Sequence, residues 1–555
     1  MTGSVLQFIL SVFPILLLIY LMAKRNGLPS YIALPAIAVL IILIQVFYWS
    51  NSNLAVGASV VASIVATLTP VTIIFAAILF NRFIEVSGSI NVIKSWLATV
   101  SPNPVAQLMI IGWAFAFMIE GASGFGTPAA IAAPLLVSLG FPAVRVCILT
   151  LIMNSVPVSF GAVGTPTWYG FSQLHDVNFI ELGSKTAIMH GFASLVIPAI
   201  ALMFVVKPKE VFRNFGFILL SIAACVVPYL VLSFFNDEFP SLVGGAIGML
   251  LSVWFAKYGI GLAKSYEPVV DDTNPEQKIR IEKLPSVTGS QVAKALAPFA
   301  LLIGLLIVTR VQQLPFKTLM NSQAEWLNFN LGFADFKITQ SLTFVLGNIF
   351  GTSISDSYKL LYVPSLIPFV VTVLIMQFFY AECRGKIVGI FQSSASAVKL
   401  TYVALFGAFV MVKLMMLAPT AGVPSNTTSS MVQVIGQVFS SSMGSSWLLV
   451  ASYLGSVGAF FSGSNTVSNL TFGSIQQSIA QQIGANQTTV LALQSVGGAM
   501  GNMVCLNNII AVASVTNCLS YEGYILKRTF APMVIYGIIA AIVSQVAILL
   551  FPGLW

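Results

Sequence analysis

The sequence predicts an all-α polytopic membrane protein with about 12–14 transmembrane helices, in two inverted repeats that each carry a re-entrant hairpin and a broken helix. The 555 residues are 57% hydrophobic and only 8% charged, whereas soluble domains carry about 25% charged residues. Apolar runs of roughly 20 residues recur along the chain, and each is long enough to cross a hydrocarbon core of about 30 Å. A polar motif, Ser-Gly-x-x-Thr, occurs twice in hydrophobic sequence, at residues 123–127 and 462–466.

Residues 1–256 form the predicted first transmembrane half. Its apolar runs lie at about 4–22, 31–49, 58–80, 104–119, 143–170, 186–206, 214–235 and 240–256. The mixed polarity of residues 83–101 predicts an amphipathic helix on the membrane surface. The run at about 143–170 is interrupted by prolines and glycines, which predicts a broken helix: Pro157, Gly161, Gly164 and Pro166.

Residues 257–290 are rich in charged residues and proline, and they predict a solvated, cytoplasmic linker between the halves. The second transmembrane half is predicted over residues 291–555. Its apolar runs lie at about 291–310, 362–380, 387–412, 430–458, 489–513 and 529–551, and the polar, aromatic stretch 311–340 is typical of an interfacial segment.

The duplicated motif predicts a hairpin in each half, near 119–140 and near 459–483. Glycine and hydroxyl groups at membrane depth break a helix and leave backbone polar groups that need partners. Lipid supplies none, so such backbone persists only where it is packed in protein or lines a cavity. Paired breaks in corresponding halves point to the binding site of a secondary transporter.

Further matches follow each motif at similar spacing. The sequence Gly-Ala-x-Gly occurs at 161–164 and at 498–501. Basic residues follow the helix that precedes the first motif (Arg82, Lys94), but they precede the equivalent helix of the second half (Arg384, Lys386). Because basic residues favour the cytoplasmic side, the two helices are predicted to run in opposite directions. The alternative is chance similarity in a chain with 42 glycines.

Composition also narrows the function classes. The net charge of +8 comes from basic residues in short loops, as expected of a membrane protein, so no nucleic acid partner is expected. The five cysteines lack metal-ligand or redox spacing, and no cofactor or metal is expected. With two histidines and no paired carboxylates within the apolar runs, the chain offers little from which to build an enzyme.

The first motif and its surroundings resemble the lactate permease family. The resemblance is carried by residues 120–128 (Glu-Gly-Ala-Ser-Gly-Phe-Gly-Thr-Pro), 139–142, 154–162 and 463–469, and it extends over nearly the whole chain. It implies a bacterial inner-membrane protein that imports lactate, and sometimes glycolate, together with a proton. The family is grouped with an ion-transporter clan whose dicarboxylate carriers bind carboxylate and sodium at a Ser-Asn-Thr tripeptide in each hairpin.

Ser464-Asn465-Thr466 matches that tripeptide, whereas the first motif retains only Thr127. Some lactate permeases carry Asp where this chain has Asn465. A small monocarboxylate needs donors for two oxygens, which free N–H groups at helix N-termini and neutral side chains can provide. The predicted substrate-binding residues are Ser123, Gly124, Gly126, Thr127, Ser464, Asn465, Thr466, Gly161 and Gly498. The alternative is that these residues only allow close helix packing.

Three charged or titratable residues are candidates for proton coupling or for attracting the substrate. Glu120, the only carboxylate that adjoins a motif, is predicted to carry or relay the coupled proton. His190, inside the sixth apolar run, is a second proton-coupling candidate. Lys399 is a candidate for attracting the substrate carboxylate. Their structural alternatives are a hairpin-capping Glu, a His bonded to a neighbouring helix and a Lys that reaches the membrane surface.

The predicted function is secondary active import of L-lactate, together with D-lactate or glycolate, by proton symport with alternating access. A sodium-coupled carrier of small carboxylates is the first alternative. A sodium/proton antiporter is the second, although such proteins usually need an intramembrane Asp pair, which this chain lacks. The substrate preference, stoichiometry and oligomeric state do not follow from the sequence.

Overall fold

In the computed structural model, the described residues are 2–555 except 24–27, 125–126, 268, 270–286, 311–313, 364–365 and 420–428. Within this part of the chain, 11 helices are long and apolar enough to cross a membrane. Two further pairs of helices, bent by 46° and 41°, raise the total to 13 if each pair is one span. The predicted polytopic helical fold is therefore confirmed.

The described residues up to 98 form four helices. They are α1 (Thr2–Ala23), α2 (Ser30–Phe47), α3 (Asn53–Val86) and α4 (Ser89–Ala98). Ser52 starts α3 by accepting a hydrogen bond from the backbone N–H of Ala55. With 34 residues, α3 is about 51 Å long and exceeds the hydrocarbon thickness, so it must tilt or project. It also takes up residues 83–86, which leaves α4 as a shorter amphipathic helix than predicted.

The apolar run predicted at 104–119 forms α5 (Pro104–Gln107), a π-helical segment (Leu108–Phe115) and the start of α6 (Ala116–Ser123). The hairpin predicted near 119–140 includes the end of α6 and α7 (Thr127–Ser138). Residues Pro104–Ser123 form one span that is 94% buried. The broken helix follows as α8 (Ala143–Met153), a 3-10 turn (Val156–Phe160) and α9 (Gly161–Trp168). After this break, the backbone of Ala162, Val163 and Gly164 is left-handed, which kinks the chain at the start of α9.

The next helices are α10 (Phe179–Ser194), α11 (Ile197–Met203), α12 (Pro208–Arg213), α13 (Phe215–Ser233) and α14 (Pro240–Lys257). Most of the predicted linker, 257–290, lies outside the described residues. The chain continues with α15 (Gly289–Arg310) and α16 (Pro315–Met320).

A small sheet follows α16 and includes part of the stretch 311–340, so the prediction of an all-α fold is incomplete. The strands β1 (Glu325–Asn330), β2 (Asp335–Thr339), β3 (Thr343–Gly347) and β4 (Asp356–Lys359) pair antiparallel in sequential order. The β1–β2 turn is stabilised because Asn330 Oδ1 accepts a hydrogen bond from the N–H of Gly332, whose φ of 86° suits glycine. Tyr358 packs against Ile73 of α3.

The second half contains α17 (Leu366–Met376), α18 (Ile387–Ala397), α19 (Lys399–Met416), α20 (Met431–Met443), α21 (Trp447–Ser462), α22 (Asn465–Ile483), α23 (Gln487–Gly501), α24 (Leu506–Val515) and α25 (Glu522–Leu550). The apolar run predicted at 430–458 is divided into α20 and α21 by a 3-10 turn at Gly444–Ser446. The helix pair α21–α22 is joined at the second motif, and a 3-10 turn at Asn502–Val504 separates α23 from α24.

The order of elements repeats in the two halves, but the glycine match is displaced. In each half, a helix pair joined at the motif precedes a broken helix: α6–α7 with α8–α9, and α21–α22 with α23–α24. Gly161 and Gly164 follow the first break, whereas Gly498 and Gly501 precede the second. The equivalent residues are instead Asn154 and Asn502, which are the C-caps of α8 and α23.

A buried lysine joins the two halves at the starts of α10 and α23. Lys185 is 3% exposed, and its ammonium group donates to Glu181 Oε1 at 2.7 Å and to Thr488 Oγ1 at 2.8 Å. It also donates to Asn486 Oδ1 at 3.1 Å and to Thr489 Oγ1 at 3.2 Å. The cluster thus compensates a buried charge with several acceptors from both halves.

We expect Lys185→Met to lower the free energy of unfolding in detergent by about 2 kcal/mol, because the acceptors around it lose a charged donor while Glu181 stays partly solvated. Denaturant titration of the purified protein measures this change. The matched control is Lys337→Met, which removes an exposed ion pair with Glu325 and should leave the unfolding midpoint unchanged. Equal effects of the two substitutions would contradict the assigned role of Lys185.

Candidate functional site

Both motifs end a helix with a glycine in the left-handed half of φ/ψ space. Gly124 follows α6 with a φ of 62°, and Gly463 follows α21 with a φ of 69°. A residue with a side chain is strained at such angles, and at Gly124 a Cβ would also lie 3.0 Å from the Cβ of Ala162. Both helices therefore end at the Ser-Gly pair that follows their apolar residues.

The two breaks meet at one small cavity of about 20 Å³, which is room for about one water molecule. Residues of both halves form its walls: Glu120, Gly124, Val158, Gly161, Ala162, Pro166, Gly463, Ser464, Asn465, Thr466 and Asn502. The structure therefore brings five of the nine predicted substrate-binding residues to a shared cavity, together with the proton-coupling candidate Glu120.

The N-terminus of α22 provides donors at this cavity. Ser464 is the N-cap, and its hydroxyl oxygen accepts a hydrogen bond from the N–H of Val467 at 3.3 Å. Helix geometry leaves the N–H groups of Asn465 and Thr466, the first two helical residues, without an intrahelical acceptor. Both residues line the cavity, so this end of α22 is suited to an anion.

Asn465 is held in place by the broken helices of both halves. Its side chain is 2% exposed, and its Nδ2 donates to the hydroxyl of Ser159 at 3.3 Å. Its Oδ1 lies against the backbone of Gly498, where an added Cβ would overlap the amide oxygen. Gly498 therefore supports Asn465 without being among the described residues that line the cavity.

Glu120 also lines this cavity. It is 2% exposed, and its Oε2 accepts a hydrogen bond from Asn154 Nδ2 at 3.1 Å. Its other oxygen lies against Gly161, where a Cβ would overlap the carboxylate. No other carboxylate lines this cavity within the described residues, so Glu120 is placed to exchange a proton or to respond to an anion.

His190 is fully buried behind the site. Its Nε2 is hydrogen-bonded to Ser159 Oγ at 2.8 Å, and its Nδ1 is hydrogen-bonded to the hydroxyl of Tyr536. The Ser159 hydroxyl also interacts with the Ser495 hydroxyl at 3.0 Å. Since Ser159 accepts the hydrogen bond of Asn465, His190 reaches the cavity through Ser159 and not directly.

The remaining predicted residues are placed elsewhere or lie outside the description. The hydroxyl of Ser123 donates to the carbonyl of Ile119 at 2.9 Å, within its own helix. Gly126 and the side chain of Thr127 are outside the described residues. Lys399 is exposed at the first position of α19.

Sequence reasoning missed two polar residues at the site, Asn154 and Ser159. It named Asn502 only as one of four polar residues on the second broken helix, at least one of which is expected to line the cavity. All three lie at or next to a break in an apolar helix, and that position is the signal that could have identified them. The side-chain oxygens of Asn154, Asn465 and Asn502 are buried and accept no hydrogen bond from any described residue. A buried acceptor without a donor is costly, so these oxygens suit a ligand or water.

A larger cavity of about 400 Å³ adjoins the site. It shares Gly463, Ser464 and Thr466 with the small one, and residues of α2, α3, α19 and α24 form its other walls. Thr401 of α19 and Ser30 of α2 also line it, whereas Lys399, two positions before Thr401, lines neither cavity within the described chain.

The chain was compared with known proteins. A profile of the L-lactate permease family matches residues 7–551. A putative L-lactate permease of Haemophilus influenzae is 53% identical over 552 residues, covering 99% of this chain and 100% of that protein. The glycolate permease GlcA of Escherichia coli is 23% identical and covers 100% of this chain and 98% of that protein.

Among solved structures, the Alcanivorax borkumensis YdaH transporter aligns with a TM-score of 0.48 and 11% identity, over 95% of this chain and 99% of that one. The match to the family over nearly its full length, the 53% identity to one relative and the many apolar helices together establish the class of protein. The chain is a multi-pass protein of the bacterial inner membrane and belongs to the L-lactate permease family.

Proposed function

We propose that the protein is a secondary active transporter that imports L-lactate, with D-lactate and glycolate as further substrates, by proton symport. The observation that carries the proposal is the cavity lined both by the first residues of α22, whose N–H groups have no intrahelical acceptor, and by Glu120. Membership of a permease family indicates a transporter rather than an enzyme. Relatives named for L-lactate and for glycolate support small monocarboxylates as substrates.

The substrate carboxylate binds at the start of α22. The N–H groups of Asn465 and Thr466 and the hydroxyl groups of Ser464 and Thr466 are its donors, and the partial positive charge of the helix end favours an anion. These donors are neutral, which permits release as well as binding. Val158 and Ala162, on the wall formed by the first half, contact the short apolar tail of the substrate.

Glu120 carries the coupled proton. It lines the cavity that holds the substrate, whereas His190 is separated from that cavity by Ser159. A protonated Glu120 tolerates the substrate anion, and an ionised Glu120 repels it. His190 orients Ser159, and through it the amide of Asn465, so its influence on transport is that of a positioning residue.

Alternating access uses the two halves, residues 1–256 and 291–555, as inverted repeats joined by a cytoplasmic linker at 257–290. The water-sized cavity must widen to admit a substrate with several heavy atoms. The larger cavity beside Ser464 and Thr466 serves as the path to one side of the membrane. Lys399 is exposed and precedes Leu400 and Thr401, which line the larger cavity. Its positive charge attracts carboxylates towards that path.

Sodium coupling is the second candidate, because Ser464-Asn465-Thr466 presents oxygen atoms at the same helix end. A sodium/proton antiporter without an organic substrate is a third. The decisive experiment is uptake of radiolabelled L-lactate into proteoliposomes under an imposed pH gradient, with and without sodium. We expect accumulation that needs an acidic exterior, is insensitive to sodium and is competed by glycolate. A strict sodium requirement would reject proton symport, and absence of lactate uptake would reject the function.

A further inference from the structure

Asn502 is a cavity residue whose buried amide oxygen has no donor. It caps α23 at the second break and lines the small cavity with Glu120 and Asn465. It is 8% exposed, and its Oδ1 accepts no hydrogen bond from the described residues. Its backbone carbonyl, in contrast, accepts a hydrogen bond from Asn508 Nδ2 at 3.1 Å, which fixes the residue at the break.

The asparagines at the two breaks both have an amide oxygen without a donor among the described residues, but only Asn502 of this pair lines the small cavity. Asn154 caps α8 and donates to the Glu120 carboxylate. In the second half, the position of Glu120 relative to the break has no carboxylate, since Ala459 precedes Ser462 by three residues as Glu120 precedes Ser123. The amide of Asn502 thus faces a site where a ligand, rather than a glutamate, can complete its hydrogen bonds.

The missing partner must be a donor, because an amide oxygen only accepts hydrogen bonds. A carboxylate cannot supply it, since an ionised carboxylate is itself an acceptor. A hydroxyl group on the carbon next to the carboxylate can, and it is what distinguishes a 2-hydroxy acid from other short carboxylates. With the carboxylate at the N-terminus of α22, the donor of such a molecule lies within the same cavity.

We propose that Asn502 determines specificity for 2-hydroxy acids by accepting a hydrogen bond from the substrate hydroxyl group. This inference rests on the proposed function, since it requires the carboxylate to bind at α22. Sites built to hydrogen-bond a substrate hydroxyl reject the analogue that lacks it, because the buried polar group is then left unpaired. Pyruvate, with a carbonyl in place of the hydroxyl, offers a second acceptor and is rejected as well.

The test is inhibition of radiolabelled L-lactate counterflow in proteoliposomes by unlabelled L-lactate, glycolate, propionate and pyruvate. In the wild type we expect propionate and pyruvate to inhibit at concentrations on the order of 100-fold higher than L-lactate. In Asn502→Leu, which keeps the approximate volume but removes the acceptor, we expect L-lactate and propionate to differ by less than about threefold. The matched control is Asn507→Leu, which alters a neighbour that lines only the larger cavity and keeps the wild-type ratio.

Asn502→Asp serves as the conservative variant. It retains an acceptor oxygen, so the preference for L-lactate over propionate should persist. Its added negative charge should weaken the binding of both anions to a similar extent. If the Leu variant fails to fold, Asn502→Ala is the acceptor-free variant, and retention of the wild-type ratio by it would overturn the role equally. If wild-type protein transports L-lactate but does not distinguish it from propionate, or if Asn502→Leu preserves the wild-type ratio, the role of Asn502 is overturned and the proposed function stands. If the wild type shows no lactate counterflow, the proposed function itself fails.

Discussion

Replacing Glu120 with glutamine is expected to abolish accumulation of L-lactate against its gradient while preserving exchange. Glutamine has nearly the same shape, and its Oε1 can still accept the hydrogen bond that Asn154 donates to Glu120. It cannot take up or release a proton, so a pH gradient no longer drives uptake. Exchange of labelled for unlabelled lactate should stay within about tenfold of wild type, which corresponds to about one hydrogen bond.

The pH dependence of exchange gives this prediction a second readout. In the wild type, exchange should slow as the pH rises, because ionised Glu120 repels the substrate carboxylate. In Glu120→Gln, exchange should be independent of pH over the same interval. Glu210→Gln is the matched control, since Glu210 is also buried but pairs with Arg213 away from the cavity. Accumulation by Glu120→Gln equal to that of the wild type would remove Glu120 from the coupling mechanism.

Hydropathy and glycine placement are sufficient to predict the spans and the two helix breaks, because both depend on local sequence and on the solvent. The sheet at 325–359 does not follow from hydropathy. Strands β2 and β3 pair so that one face of the sheet is polar and the other apolar. An ion pair of 2.7 Å between Asp356 and Lys413 holds β4 against α19. The polar, aromatic composition of residues 311–340 predicts a position at the membrane interface, but it does not show that the segment forms strands.

The residues of the candidate site also differ in whether the sequence alone could identify them. Ser464, Asn465 and Thr466 were predictable because a helix must start after Gly463, and helix starts bind anions. Ser159 and Asn154 were not, since their position depends on contacts across the chain, such as the bond between Ser159 and Asn465. Asn502 could be named only as one of several polar residues on the second broken helix, because the sequence does not show which of them reaches the cavity. The repeat of Gly-Ala-x-Gly suggested equivalent positions that the structure does not show. Gly498 lies before the second break, where the absence of a Cβ leaves room for the side chain of Asn465. Its position is therefore set by that contact and not by the break.

Gly161 illustrates how such a contact can be tested without touching a polar group. Its φ of −65° and ψ of 158° are ordinary for alanine, so Gly161→Ala introduces no backbone strain. The added Cβ would, however, overlap the Glu120 carboxylate. We expect transport of L-lactate to fall by roughly 10- to 100-fold, the consequence of overpacking by about 1–3 kcal/mol at the site. Gly304→Ala is the control, because nothing lies within 4 Å of its added Cβ.

A compensating substitution separates this clash from a general loss of packing. In the Gly161→Ala background, Glu120→Asp withdraws the carboxyl group by one methylene and makes room for the new methyl group. The double variant should therefore transport faster than the product of the two single effects predicts, which is the coupling expected of residues in direct contact. Proteoliposome uptake of the four proteins measures this coupling. Strictly additive effects, or full activity of Gly161→Ala alone, would show that Glu120 does not occupy the position against Gly161 during transport.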